Sequence, residues 1–145
     1  MEEKIESVLR LERMAFEEIR FNRDTAIPLT NAEYEMNFNR NVGISEDRKH
    51  FAVKLTLNLW SKIPNQFQIT VSLIGYFFCE CEDENLRESL IKYNTLSILF
   101  PYIRSQVSLI TAQPDITPIV LPPVNVVGLF EEVDKQEPQV EEPKH

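Results

Sequence analysis

The sequence predicts an α+β domain in which a four-stranded antiparallel sheet precedes the helices. Three observations predict it: apolar and polar residues alternate in four stretches between Ser7 and Leu73, the connections between them are short or polar, and after Glu82 apolar residues recur three or four apart. At 145 residues the chain is the size of one domain that can bury a core without disulfides or a structural metal. We expect residues 1–133 to form that domain and 134–145 a tail.

The first stretch, Ser7 to Phe21, alternates with two slips of parity. Leu9 and Leu11 are out of step with Met14 and Phe16, which are out of step again with Ile19 and Phe21. Each one-residue slip is what a β-bulge produces. Read as a helix, the same stretch places Glu6, Arg10, Arg13 and Glu17 on one side and Val8, Leu11 and Ala15 on the other, so a helix remains open here. Glu33 to Asn39 alternates cleanly, with Tyr34, Met36 and Phe38 on one face, and predicts a half-buried strand. Asn41 to Lys49, NVGISEDRK, predicts a polar loop. Phe51, Val53, Leu55, Leu57 and Leu59 then share a face. SKIPNQ, Ser61 to Gln66, supplies a hairpin connection, and Phe67, Ile69, Val71 and Leu73 alternate with Gln68, Thr70 and Ser72.

Each strand has one apolar face, which the remaining chain must cover. Glu82 to Glu84 suit a helix N-terminus, and Leu86, Leu90 and Tyr93 follow at helical spacing. Pro101 is expected to break or restart that helix, with a second segment from about Pro101 to Thr111. The final DKQEPQVEEPKH is charged and carries prolines, and reads as a disordered tail.

Composition narrows the function classes. A net charge of -8 argues against a nucleic-acid partner, which needs clustered Lys and Arg. No apolar run approaches the ~20 residues of a membrane span. The acidic MEEKIESVLRLER lacks the features of a secretory signal, so a cytoplasmic location is expected. Cys79 and Cys81 are expected as thiols. Together they supply two metal ligands where a closed zinc site needs four, and the two histidines, His50 and His145, are remote in sequence; no metal is expected. Phosphate-cradling glycine loops, HExxH and GxSxG motifs are missing, so no enzyme is expected.

One segment resists these categories. PDITPIVLPPVNVVGLF, Pro114 to Phe130, combines stiff proline backbone with Ile116, Ile119, Val120, Leu121, Val124, Val126 and Val127 at no helical period. It is either a buried crossover packed on the sheet, or an apolar groove wall preorganised so that little entropy is lost on docking.

Leu99, Phe100, Pro101, Tyr102 and Arg104, then Pro123, Val124, Asn125, Leu129 and Phe130 at unchanged spacing, resemble two motifs of the SecB family of bacterial export chaperones. Gly75 and Phe77 extend the resemblance backward, so that it covers residues 7–132. It implies a four-stranded antiparallel sheet with a long helix and a short C-terminal helix joined by a proline-rich crossover. It further implies a dimer of dimers that holds unfolded polypeptides without ATP; no cofactor is expected. The client groove it implies is lined by Tyr34, Met36 and Phe38, by Ile116, Ile119 and Leu121 of the crossover, and by Val126, Leu129 and Phe130 of the last helix. Apolar contacts are non-directional and tolerate many client sequences.

The resemblance also places docking of the export ATPase SecA on the other sheet face, at Glu18, Asn22, Gln68 and Thr70. Glu18 keeps the family's carboxylate, but Asn22 replaces an acidic residue, and Gln68 and Thr70 replace Leu and Glu. The crossover departs too, with PDIT where the family has Gly-Thr-Phe-Pro. Two alternatives follow: a specialised chaperone for one client, such as an antitoxin, or a structural assembly subunit with an internal crossover.

Overall fold

The computed structural model describes residues 8–136. The sheet contains β1 (Leu9–Arg23), β2 (Tyr34–Ile44), β3 (His50–Ser61) and β4 (Phe67–Cys79) in the order β1-β4-β3-β2, every neighbouring pair antiparallel. β1 carries both bulges that its parity slips demand. Its register against β4 shifts between Leu11 and Arg13 and between Phe16 and Glu18, leaving Glu12 and Glu17 unpaired. Absorbing a residue at each point lets Leu9, Leu11, Met14, Phe16, Ile19 and Phe21 oppose Cys79, Phe77, Gly75, Leu73, Val71 and Ile69 on one face. From Leu9 onward the helical alternative is therefore excluded.

Two strands run further than their sequence patterns suggested. Asn41 to Ile44 belong to β2, Val42 opposing Val53 and Ile44 opposing Phe51, so the polar loop shrinks to Ser45–Lys49. There the Asp47 carboxylate accepts hydrogen bonds from the Ser45 hydroxyl and from the amides of Lys49 (2.8 Å) and His50 (3.3 Å). Those bonds, led by that of Ser45, hold its pKa far below the carboxylate range. β4 continues past Leu73 to Cys79, where the thiol is buried and its pKa raised by that burial. Cys81 lies beyond the strand, and both thiols are free.

Helices cover one face of the sheet. α1 (Glu84–Ser89) leads through a π-helical turn, Leu90–Asn94, into α2 (Thr95–Ile110). Asp83 caps α1, accepting from the amides of Asn85 (3.0 Å) and Leu86 (3.2 Å). Pro101 does not break the helix as its residue type suggested; it sits inside α2. Both Pro101 and Ser97, whose carbonyl loses its amide donor, are exposed, so water can replace the missing bond. The irregularity falls earlier, in the π turn.

The core lies between Val53, Leu55, Leu57, Leu59, Ile69, Val71, Leu73 and Phe77 of the sheet and Leu90, Leu96, Leu99, Ile103 and Val107 of the helices. Gly75 leaves no room for a side chain between the two layers. A Cβ there would lie 2.7 Å from the Phe77 ring and 2.8 Å from a Leu99 methyl.

The segment from 112 to 125 has little secondary structure, and its partners come from two sides. Leu29, in the loop after β1, bridges Ile116: the Leu29 amide donates to the Asp115 carbonyl (3.1 Å) and the Thr117 amide to that of Leu29 (3.0 Å). On the other side α2 supplies polar side chains at helical spacing. Arg104 donates twice to the Leu121 carbonyl (3.2 and 2.9 Å), Ser108 donates to that of Ile119 (3.0 Å), and Thr111 accepts from the Ile119 amide (2.9 Å). A crossover too rich in proline to pair as a strand is thus bonded by one stripe of a helix. The chain ends its described part in α3 (Val126–Gln136), so Asp134 to Gln136 are helical rather than part of the tail. The remainder of the expected tail, 137–145, lies outside the described residues.

Candidate functional site

α3 lies alongside the edge strand β2 and leaves an apolar groove between them. Met36 and Phe38 form its floor on β2, Val124, Leu129, Phe130 and Val133 form its far wall, and among the described residues Asn37 is the single polar one in the lining. Its volume is about 480 Å³. Phe38 is braced from below by an edge-on contact with Phe100 at 5.7 Å. Leu129 and Val133 are 47% and 44% exposed, although each is a large aliphatic side chain. Among the described residues no charged side chain lines the space.

Four of the nine residues expected in a groove meet here: Met36, Phe38, Leu129 and Phe130. Tyr34 is half-buried at the start of β2 and is not part of the lining. Ile116 and Ile119 instead flank a separate void of about 10 Å³ with Phe21, Leu29 and Phe67. Leu121, 1% exposed, and Val126, 3% exposed, belong to the core. The crossover therefore anchors the groove rather than lining it, apart from Val124. Val133 escaped sequence reasoning, although its spacing from Val126, Leu129 and Phe130 places it on the same side of a helix.

A polar cluster fixes α3 beside the groove. The Arg40 guanidinium donates to both oxygens of Asp134 (2.8 and 3.0 Å) and to the Lys92 carbonyl in the π turn (3.2 Å). It also lies 4.7 Å from the Phe130 ring centroid. The Tyr93 hydroxyl donates to Asp134 at 2.6 Å. Burial, and then that hydrogen bond, push the Tyr93 pKa up to about 12, so the hydroxyl stays a donor. Burial alone would raise the Asp134 pKa, but the bonds from Tyr93 and Arg40 outweigh it and lower the pKa.

The opposite sheet face holds the other four expected positions. Glu18, Asn22, Gln68 and Thr70 share it, Asn22 opposing Gln68 and Thr70 lying across from Arg20. Glu18 is paired with Arg20 at 2.8 Å, and neighbouring Glu17 with Lys54 at 3.0 Å. Thr70 is 5% exposed and donates to Asn58 at 3.0 Å. Asn22 and Gln68 border an open depression of about 540 Å³ with Trp60 and Pro64. Around these four positions the face presents amides and paired carboxylates, while further along it Arg10 and Arg13 stack on Phe78 and Tyr76. Among the described residues no group of three His, Cys, Asp or Glu is placed to hold a metal ion, and no helix is long and apolar enough to cross a membrane.

An antiparallel four-stranded sheet backed by one helical layer, with a crossover to a short final helix, defines an α+β fold of the SecB type. It matches the Mycobacterium tuberculosis SecB-like chaperone Rv1957, solved in complex with a ChAD peptide from the HigA1 antitoxin, with a TM-score of 0.67 over 84% of this chain and 91% of that one, at 15% identity. The chain belongs to the SecB family: the family model described as preprotein translocase subunit SecB matches residues 5–137. Among curated relatives, protein MJ0357 of Methanocaldococcus jannaschii is 34% identical over 67 residues, 46% of this chain and 43% of that protein. The protein-export protein SecB of Dechloromonas aromatica is 35% identical over 82 residues, 55% of this chain and 54% of that protein. The matched stretches thus span about half the length of these relatives.

Proposed function

We propose that this chain is an ATP-independent holdase that captures non-native polypeptides in the groove between β2 and α3. The observation that carries the reading is the groove itself: a preformed trough with exposed Leu129 and Val133 and, among the described residues, no charged lining. Apolar segments are what an unfolded chain exposes and a folded one hides, so such a trough discriminates by folding state rather than by sequence. The holdase works by mass action, without catalysis or cofactor, and Met36 lets the floor adapt to different side chains. It acts in the cytoplasm as a dimer of dimers. Family membership supports this reading, as do the exposed Tyr102 and Leu109 on α2, Leu109 being 69% exposed.

A second reading, a chaperone dedicated to one client such as an antitoxin, is favoured by the outer sheet face. Asn22, Gln68 and Thr70 leave few free charges there for docking SecA, and the structural neighbour Rv1957 is itself bound to an antitoxin peptide. Light scattering tests the common core of both readings. In the absence of nucleotide the protein delays aggregation of a chemically unfolded client, and the double variant Leu129→Glu, Val133→Glu does not. No delay by the wild type at stoichiometric excess, with any client tried, would leave the assembly-subunit reading in its place.

A further inference from the structure

We propose that Arg40, Tyr93 and Asp134 are positioning residues that hold α3 in register with β2, and that this latch sets client affinity by keeping the groove preformed. The inference rests on the groove reading above but concerns residues that do not touch the groove space. α3 needs such a device. Of its 11 residues, Val126 and Phe130 are buried, both in the first half, and the helix is reached through Pro122 and Pro123, which donate no backbone hydrogen bonds. The first turn is secured locally, with Asn125 accepting from the Gly128 amide at 3.0 Å. Leu129 and Val133 turn outward to the groove, and the second half, with Val133 44% exposed, has little apolar area of its own to hold it down.

Asp134 closes that gap. It sits one residue beyond Val133, and its two oxygens share one terminal nitrogen of Arg40, Nη2, while one also takes the Tyr93 hydroxyl. Arg40 in turn is fixed from three directions: by Asp134, by the Phe130 ring below it and by the Lys92 carbonyl. That carbonyl lies in the π-helical turn, so the irregular turn gains a role in the latch. One residue each from β2, the π turn and α3 thus meet at a single carboxylate. With the latch closed, a client enters a finished trough. With it open, part of the binding free energy goes into ordering the wall, and the apparent dissociation constant rises by the inverse of the fraction closed.

The test uses the full chain and two readouts on the same variants, backbone amide exchange across 126–136 and affinity for a labelled, chemically unfolded reporter polypeptide. Asp134→Asn keeps the size but loses the charge, and Tyr93→Phe removes one hydroxyl. We expect faster exchange in the second half of α3 and affinity weaker by about threefold to tenfold for Asp134→Asn, with a smaller effect for Tyr93→Phe. Asp134→Glu, which retains a carboxylate, recovers part of the affinity. Unchanged exchange in α3, or faster exchange with unchanged or tighter binding, overturns the proposal. Should the wild type bind no reporter, the holdase reading fails, while the exchange data still decide whether the latch exists.

Discussion

Leu129 and Leu121 are both leucines in one largely apolar segment of the sequence, yet they have opposite exposures, 47% and 1%. Their substitutions should separate binding from folding. Leu129→Glu is expected to abolish client capture with a change in stability of no more than about 0.5 kcal/mol, as for other surface changes. Leu121→Ala removes a fully buried side chain and should cost about 2 to 5 kcal/mol, read from denaturant unfolding, while client affinity at low temperature is retained. A residue type and its period tell which side chains are apolar, but not which of two packed layers claims them. That is why Met36, Phe38, Leu129 and Phe130 were legible as groove residues while Ile116, Ile119, Leu121 and Val126 were assigned to the same wall. The polar partners were not legible at all, since Arg40, Tyr93 and Asp134 are joined across contacts that no local spacing encodes. Asp134 also titrates in a defined direction. Its folded pKa is lowered, so its stabilisation is complete above the unfolded value and is lost as pH falls through the folded one. Arg40, Tyr93, Lys92 and, beside Tyr93, Glu131 face this group, and an NMR titration of its carboxyl carbon should give a midpoint below 3.8.

At the level of elements, the parity slips in β1 translated directly into bulges, because only a one-residue insertion at each slip keeps all six apolar side chains on the same face. The long helix was less legible. Pro101 signals a break on local grounds, and only the exposure of its side of α2 makes the lost hydrogen bond tolerable. The crossover shows the reverse, a missed opportunity: Arg104, Ser108 and the C-cap Thr111, at spacings of four and three, already describe a polar stripe along α2. That stripe bonds the crossover where prolines prevent a ladder. Arg104→Leu removes both donors to the Leu121 carbonyl and should cost about 1 to 3 kcal/mol. Limited proteolysis checks whether the cost is local: cleavage is expected to appear first between residues 112 and 125, with α2 and the sheet intact.

Across the whole molecule, the sheet separates two surfaces of different chemistry. The helix-covered face ends in an apolar groove, and the outer face carries amides and paired charges where the family resemblance called for acidic and apolar residues. The composition pointed to neither surface by itself, because the acidic excess behind the net charge of -8 falls in two runs of the sequence, 80–88 and 131–145. A titration against SecA is accordingly expected to show no saturable binding at physiological salt, and saturable binding would return the export role to first place. Whichever destination applies, the central claim is that clients sit against α3 beside β2. Site-specific photocrosslinking reads this directly, with a photoreactive amino acid at position 129, or at exposed Glu131 as a control, and an unfolded client added without nucleotide. Adducts from position 129 in clear excess over position 131, competed away by unlabelled client, are the predicted result; equal yields from both positions, or none from 129 while the client is still held in solution, would contradict it.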